Sequence, residues 1–352
     1  MMKKNKPLKP IEALLVAVPE TAGSSLYGML DVLLAAGNIW QTLTRTGDEQ
    51  KLFRARIVAA TDRPFTCGNG IPVNPDCQVA DDPGAEIIIV PELWLGPDES
   101  IRGRYPELVT WLRGQYDAGA SLYSACSGAV LLAETGLLDG CPATSHWGYQ
   151  DLFRENYPSV RFDPAPNLCY ADSEGRIGTA GGVTSWHDLA MHIIARYASP
   201  GEALRIAKVY LLKLHAEGDL PYASLDRHIP HNDSVVRRCE TWLREHYEDH
   251  EAISLVTEMA AIPERTLKRR FKTATGSSLI DYLQNLRIEE AKRLLENTDL
   301  PIEDISERVG YSDASFFRRL FKRLTGLTPS HYRRFFQPVL NGLDSKQEPV
   351  SD

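Results

Sequence analysis

"GYSDASFFRRLFKRLTGLTPSHYRRFF" spans Gly310–Phe336 and decides the reading of the C-terminal part of the chain. Arginines and aromatics crowd it and Asp313 is its only acid, although the 352-residue chain has a formal net charge of -8. Phe317 and Phe321 lie four apart, so on a helix they share one face and anchor it in a core. Ser315, Arg318, Arg319 and Lys322 fall at i, i+3, i+4 and i+7 on another face. A basic stripe opposite an apolar one is what a helix in the major groove requires. Arginine reads guanine edges there, and Lys and Arg neutralise phosphates.

About 50 residues upstream the pattern recurs in "SLVTEMAAIPERTLKRRFKTATG" (Ser254–Gly276). Leu267 and Phe271 are its apolar pair, and Arg265, Lys268, Arg269 and Lys272 its cationic stripe. Each half reads as a short amphipathic helix, a tight turn and a second helix, which is helix-turn-helix grammar. Helices are expected over 234–248, 254–261, 264–274, 278–296, 302–308 and 313–324. One basic face is commonly a solvated face of a bundle, but two in the same frame point to double-stranded DNA. The segment Ser234–Phe336 resembles the AraC/XylS family of regulators. The resemblance rests on Gly310, Tyr311, Phe317, Arg319, Phe321, Lys322, Gly326, Pro329, Tyr332 and Arg333. It implies two reading heads joined by a long helix, with Arg265, Lys268 and Arg269 as the first reading set. Ala314, Ser315, Arg318 and Arg319 form the second, Ala314 offering at most a methyl contact to thymine.

The basic charge is local. Residues 234–336 hold 18 Lys and Arg against 16 Asp and Glu, while residues 1–233 hold 20 against 28. An acidic module is therefore joined to a polyanion-binding one, and the acidic part limits non-specific DNA binding. The length allows two or three domains. Six cysteines contain no CxxC and no zinc-like spacing with histidine, so no metal or cofactor is expected. The start, "MMKKNKPLKPIEALLVAV", reads as a first strand rather than a signal peptide, and no apolar run reaches membrane-spanning length. A cytoplasmic protein of bacterial type with reduced thiols, nucleoid-associated when bound to DNA, is expected.

In the first 216 residues, "IEALLVAV" (Ile11–Val18), "LFRARIVAA" (Leu52–Ala60) and "AEIIIVPE" (Ala85–Glu92) read as strands. "SLYGMLDVLLAAG" and "YPELVTWLRGQYDAG" read as helices between them, with two more near 183–197 and 201–215. Such alternation implies a parallel α/β sheet. "CGNG" (Cys67–Gly70) reads as a hairpin turn rather than a phosphate cradle. In "ASLYSACSGAVLLAETGLL", Cys126 sits where a strand turns sharply into a helix, at the carboxyl end of the sheet where such folds bind ligands. The helix N-terminus is expected to lower its thiol pKa, and His146 follows twenty residues later. A nucleophilic cysteine with a histidine and an acid is a plausible catalytic set. Equally, Cys126 fills a tight turn as a small residue, and His146 and Trp147 serve as core or pocket wall.

"LLAETGLLDGCPATSHW" and "GTAGGVTSWHDLAMHII" resemble the ThiJ/PfpI superfamily in its fusion with an AraC-type domain, the GlxA-like regulators. That resemblance implies a flavodoxin-like parallel sheet sandwich that senses a ligand and forms a homodimer. The family's enzymes pair the elbow cysteine with an acid at the position held here by Ser25, so no catalysis is expected and Cys126 and His146 are vestigial candidates. Ser25, Cys126, Ser127 and His146 are the expected ligand pocket. The domains are expected at 1–216 and 234–336, with a linker at 217–233 and a disordered tail at 337–352. The sequence reads as a DNA-binding transcription regulator controlled by a small-molecule effector. The alternative is a Cys-dependent hydrolase or hydratase with an attached DNA-binding domain.

Overall fold

The computed structural model describes residues 9–344 apart from 48, 214, 216, 227 and 228, with side chains described to Gln337. The expectations for the basic first eight residues, for the last eight and for two linker positions lie outside these described residues. Contacts divide the chain into two compact units that meet at Asp219 and Leu220.

The first unit is built on seven strands. These are β1 (Ile11–Ala17), β2 (Phe53–Ala59), β5 (Cys77–Gln78), β6 (Ile87–Val90), β7 (Ser121–Ala125), β10 (Leu168–Tyr170) and β11 (Ile177–Ala180). Their order is β10-β11-β7-β6-β1-β2-β5, and only β10 runs antiparallel to its neighbour. Two-stranded ribbons add β3 (Phe65–Cys67) with β4 (Ile71–Val73), and β8 (Pro142–Ala143) with β9 (Arg161–Phe162). The Cys67–Gly70 turn joins β3 to β4 as a hairpin, with Asn69 left-handed.

Apolar residues occupy both faces of the central strands, as burial on two sides demands. Leu14, Val16, Ile88, Val90 and Leu122 point to one core, which α3 (Pro106–Asp117), α4 (Gly128–Glu134) and α5 (Gln150–Asn156) complete. Ala13, Leu15, Ile87, Ile89 and Tyr123 point to the other. There α1 (Gly23–Ala35), α6 (Trp186–Tyr197) and α7 (Pro200–Tyr210) pack, and the short α2 (Ile39–Thr44) lies beside α7. The unit is the expected flavodoxin-like sandwich.

The second unit is helical: α8 (Ser234–Glu245), α9 (Ala252–Met259), α10 (Glu264–Thr275), α11 (Leu279–Asn297), α12 (Ile302–Arg308), α13 (Ala314–Thr325) and α14 (Pro329–Asp344). Its halves repeat in detail. Leu267 and Phe271 in α10, and Phe317 and Phe321 in α13, are fully buried. Thr275 Oγ1 donates to the carbonyls of Phe271 and Ser277, and Thr325 Oγ1 to those of Phe321 and Leu327. Gly276 and Gly326 then end both helices in the left-handed region, where glycine costs least. The disordered tail expected at 337–352 is helical in its first part: α14, absent from the expected helices, continues to Asp344 through Pro338 and Gly342. Both residues disfavour helix, yet extending an existing helix needs no new nucleus.

Candidate functional site

Cys126 follows β7, and only Ser127 separates it from α4. Its φ of 52° places a non-glycine residue in the left-handed region, the strained elbow expected of this turn. Cys126 N–H donates to Ala180 O (3.0 Å), and Ser145 Oγ donates to Cys126 O (2.7 Å). A Cβ on Gly128 would lie 2.5 Å from Pro91 O, so only glycine lets α4 start this close to the end of β6.

The thiol does not behave as expected from a helix start. Cys126 is 1% exposed. Burial pushes the thiol well above its usual range, and the nearby Glu92 carboxyl pushes it further. Desolvation outweighs the helix N-terminus. The second correction concerns the acid. Ser25 holds the position where the resemblance puts the enzymes' acid and none was expected, but Glu92, just beyond β6, brings a carboxyl to the thiol. Burial raises Glu92 to about 7, with the Cys126 contact lowering it in part. Its Oε2 is buried and has no hydrogen-bond partner among the described residues.

The two serines support this acid from behind. Ser25 Oγ accepts from Glu92 N–H (3.3 Å). Ser127 Oγ accepts from Leu93 N–H (2.9 Å) and donates to Leu93 O (2.5 Å). Both are fully buried, and their hydroxyls are occupied by backbone. His146 is also occupied: its Nδ1 accepts from Gly148 N–H (3.1 Å), and its ring packs on Trp147 and Tyr149. Burial lowers its pKa, so the ring is neutral. Among the described residues no hydrogen bond or ion pair joins His146 to Cys126. Tyr149 and Asp219 also act on the elbow electrostatically. The Tyr149 hydroxyl donates to Leu95 O (3.0 Å), and Asp219, raised to about 6 by burial, adds negative charge near the thiol.

Sequence reasoning missed Glu92, Tyr149 and Asp219. Glu92 had a readable signal, an acid one proline beyond four buried apolar residues at the carboxyl end of a parallel strand. Asp219 had none, because its loop carries no periodic pattern.

In the second unit Arg265, Lys268, Arg269 and Lys272 are all exposed on α10. Ser315, Arg318, Arg319 and Lys322 are exposed on α13, and Ala314 is half-buried at its start, next to the capping Asp313. Two of these cations are already engaged. Lys268 pairs with Glu264 (2.5 Å), and Arg318 pairs with Glu303 of α12. Among the described residues no ion pair holds Arg265, Arg269, Lys272, Arg319 or Lys322.

Residues 39–196 match the DJ-1/PfpI family and residues 256–334 a helix-turn-helix domain. The HTH-type transcriptional regulator GlxA of Rhizobium meliloti is 30% identical over 230 residues, covering 64% of this chain and 68% of that protein. The chain belongs to the GlxA family of helix-turn-helix transcriptional regulators. The regulator CdhR of Pseudomonas aeruginosa is 28% identical over 283 residues, 80% of this chain and 82% of that one. Among solved structures, an AraC family transcriptional regulator from Pseudomonas putida covers 57% of the chain at 18% identity, with a TM-score of 0.45. As a GlxA-family regulator the protein binds DNA through its helical unit and controls transcription. Among its described residues no helix is long and apolar enough to cross a membrane, and no cluster of His, Cys, Asp or Glu could hold a metal.

Proposed function

We propose that the α/β unit senses a small molecule at the Cys126 elbow without transforming it, forms the homodimer, and thereby sets how the helical units engage paired DNA half-sites. The observation that carries this reading is the state of the elbow. A buried thiol held protonated beside a carboxyl that is itself half-protonated near pH 7 offers no nucleophile to a substrate. A ligand with different affinity for two arrangements of the unit shifts their populations, and the DNA-binding units follow. Cys126 and His146 face the effector in this reading, while Ser25 and Ser127 shape its site through the Glu92–Leu93 backbone. On the DNA side Arg265, Arg269 and Arg319 read bases, and Lys272 and Lys322 meet phosphates.

The hydrolase or hydratase reading gains one specific point, since Glu92 supplies the acid that position 25 lacks. A substrate that ionised the thiol on binding would make the pair competent. Single-turnover assays on amide, isonitrile and 2-oxoaldehyde panels separate the two. The sensing reading expects no product above the buffer rate, and a metabolite that raises the melting temperature by mass action. Product lost in Cys126→Ala would establish the enzyme instead.

A further inference from the structure

The segment that leaves the α/β unit is fastened at its last residue. Asp219 is 6% exposed, and its Oδ2 accepts from Gly182 N–H beside the end of β11. Its own N–H donates to Ala165 O (3.2 Å). The surroundings are cut to fit this carboxylate. A Cβ on Gly181 would overlap it, and Gly218 adopts φ 70° with Ala165 O only 2.5 Å from where a Cβ would stand. Four residues earlier, His215 N–H and Nδ1 both bond the buried Asp188 carboxylate, at 3.1 and 2.6 Å. Asp219 adjoins the elbow: the Gly181–Gly182 turn it holds directly follows Ala180, whose carbonyl accepts from Cys126 N–H (3.0 Å).

The helical unit fastens its own first residues equally firmly. Lys292 Nζ donates to Ala223 O (2.7 Å), Leu225 N–H to Glu289 (2.8 Å) and Arg244 to Asp226 (2.5 Å). Tyr222 packs edge-on against Phe335 and Phe336. The expected linker at 217–233 is therefore held at Asp219 within one unit and at Ala223, Leu225 and Asp226 within the other, with Leu220–Tyr222 forming a 3-10 turn.

We propose that Asp219 is a latch: it holds the exit of the α/β unit in the elbow, and whatever occupies the elbow decides whether that exit is held or free. Displacing Asp219 releases the last residue of the unit and lengthens the join, by about 3.3–3.6 Å for each residue freed. A pinned exit favours one half-site spacing, and a released one tolerates several, because a longer tether can span more separations, at an effective concentration that falls as it lengthens. This proposal rests on the reading of the elbow as the sensing site, but the latch itself can be tested without any effector.

Hydrogen exchange on the full-length protein is the test. Asp219→Ala should speed exchange across 215–222 at least tenfold while β6 (Ile87–Val90) keeps its protection. Asp219→Asn, which retains an acceptor for Gly182 N–H, should fall between. Cys126→Met, which enlarges the side chain at the elbow, should loosen the same segment with Asp219 intact. Glu92→Gln supplies a second perturbation of the elbow should Cys126→Met fail to fold. Unchanged exchange at 215–222 in Asp219→Ala would overturn the latch. A loosened segment in Asp219→Ala, with no response to either elbow variant, would overturn its coupling to the elbow. Should the metabolite panel raise no melting temperature while the exchange results hold, the sensing reading fails and the latch stands.

Discussion

The Arg287 guanidinium lies 4.9 Å from the centre of the Tyr311 ring, and this contact joins the two helix-turn-helix halves. Arg287 sits midway along α11. Its Nε donates to Tyr247 O and its Nη2 to Asp249 O, both at 2.7 Å, so it bonds the loop before α9 while covering the turn before α13. A buried planar fork that makes these bonds and stacks on a ring is not replaced by an ammonium. Arg287→Lys should cost about 2–3 kcal/mol in the urea unfolding of the helical unit. Gly310→Ala should cost at least as much: φ is 85°, and a Cβ would sit 2.6 Å from Glu248 O and 2.8 Å from Arg287 Nη2. A midpoint unchanged in both variants would remove Arg287 as the clasp.

DNA binding should distinguish neighbours on α13. Arg319→Ala should lose about 1–3 kcal/mol on the specific site and much less on random duplex, as loss of a base contact requires. Arg318 must leave Glu303 to contact DNA, so Arg318→Ala should lose less and Glu303→Gln should bind more tightly. Lys322→Ala should weaken both duplexes alike and reduce the salt slope by about 1. Fluorescence anisotropy at several salt concentrations reads all four. Equal losses on both duplexes for Arg319→Ala would move that residue to the phosphate backbone.

Thiol chemistry at the elbow should be slow. Iodoacetamide at pH 7 should modify the partly exposed Cys77, Cys141 and Cys169 well before Cys126, whose thiolate is disfavoured by burial and by Glu92. Glu92→Gln should raise the Cys126 rate without altering the others. Mass spectrometry of timed samples gives the order directly, and first modification at Cys126 would contradict the buried-thiol account.

Glu92 also makes a pH prediction. Its folded pKa, about 7, exceeds the unfolded value of 4.5, so the fold prefers the neutral acid. The unfolded chain releases its proton first as pH rises, and stability is lost between about 4.5 and 7. Glu92→Gln removes that loss. The variant should match the wild type near pH 4.5 and gain on it up to pH 7, by about 3 kcal/mol, then hold level. Asp219 leaves a smaller slope of the same sign, since its value rises from 3.8 to about 6. A constant difference across this range would show that Glu92 is ionised in the fold.

Much of this architecture was legible because its signals are periodic. The stripes of α10 and α13 repeat at helical spacing, β1 and β6 are almost wholly apolar, and β2 ends in an apolar run. The elbow was readable as a strand meeting small residues. What could not be read were pairings between distant segments. Position 25, in α1, is where the resemblance puts an acid, while the acid that reaches the thiol is 67 residues further along, just beyond β6. The linker looked polar and aperiodic, yet its residues are fixed by partners such as Glu289 and Lys292 that no local pattern indicates. Arg318 and Arg319 are equivalent in sequence, and only the position of Glu303 separates them.

The 19-residue α11 works as a ruler between the two reading heads. At 1.5 Å per residue it spans roughly 28 Å, less than one turn of B-form DNA. It also sets a phase, since each residue added to its middle turns one head by about 100° relative to the other and advances it only 1.5 Å. Arg287 fixes that phase from inside the helix. A duplex that engages both heads must therefore offer its two elements at that fixed angle as well as in the right sequence.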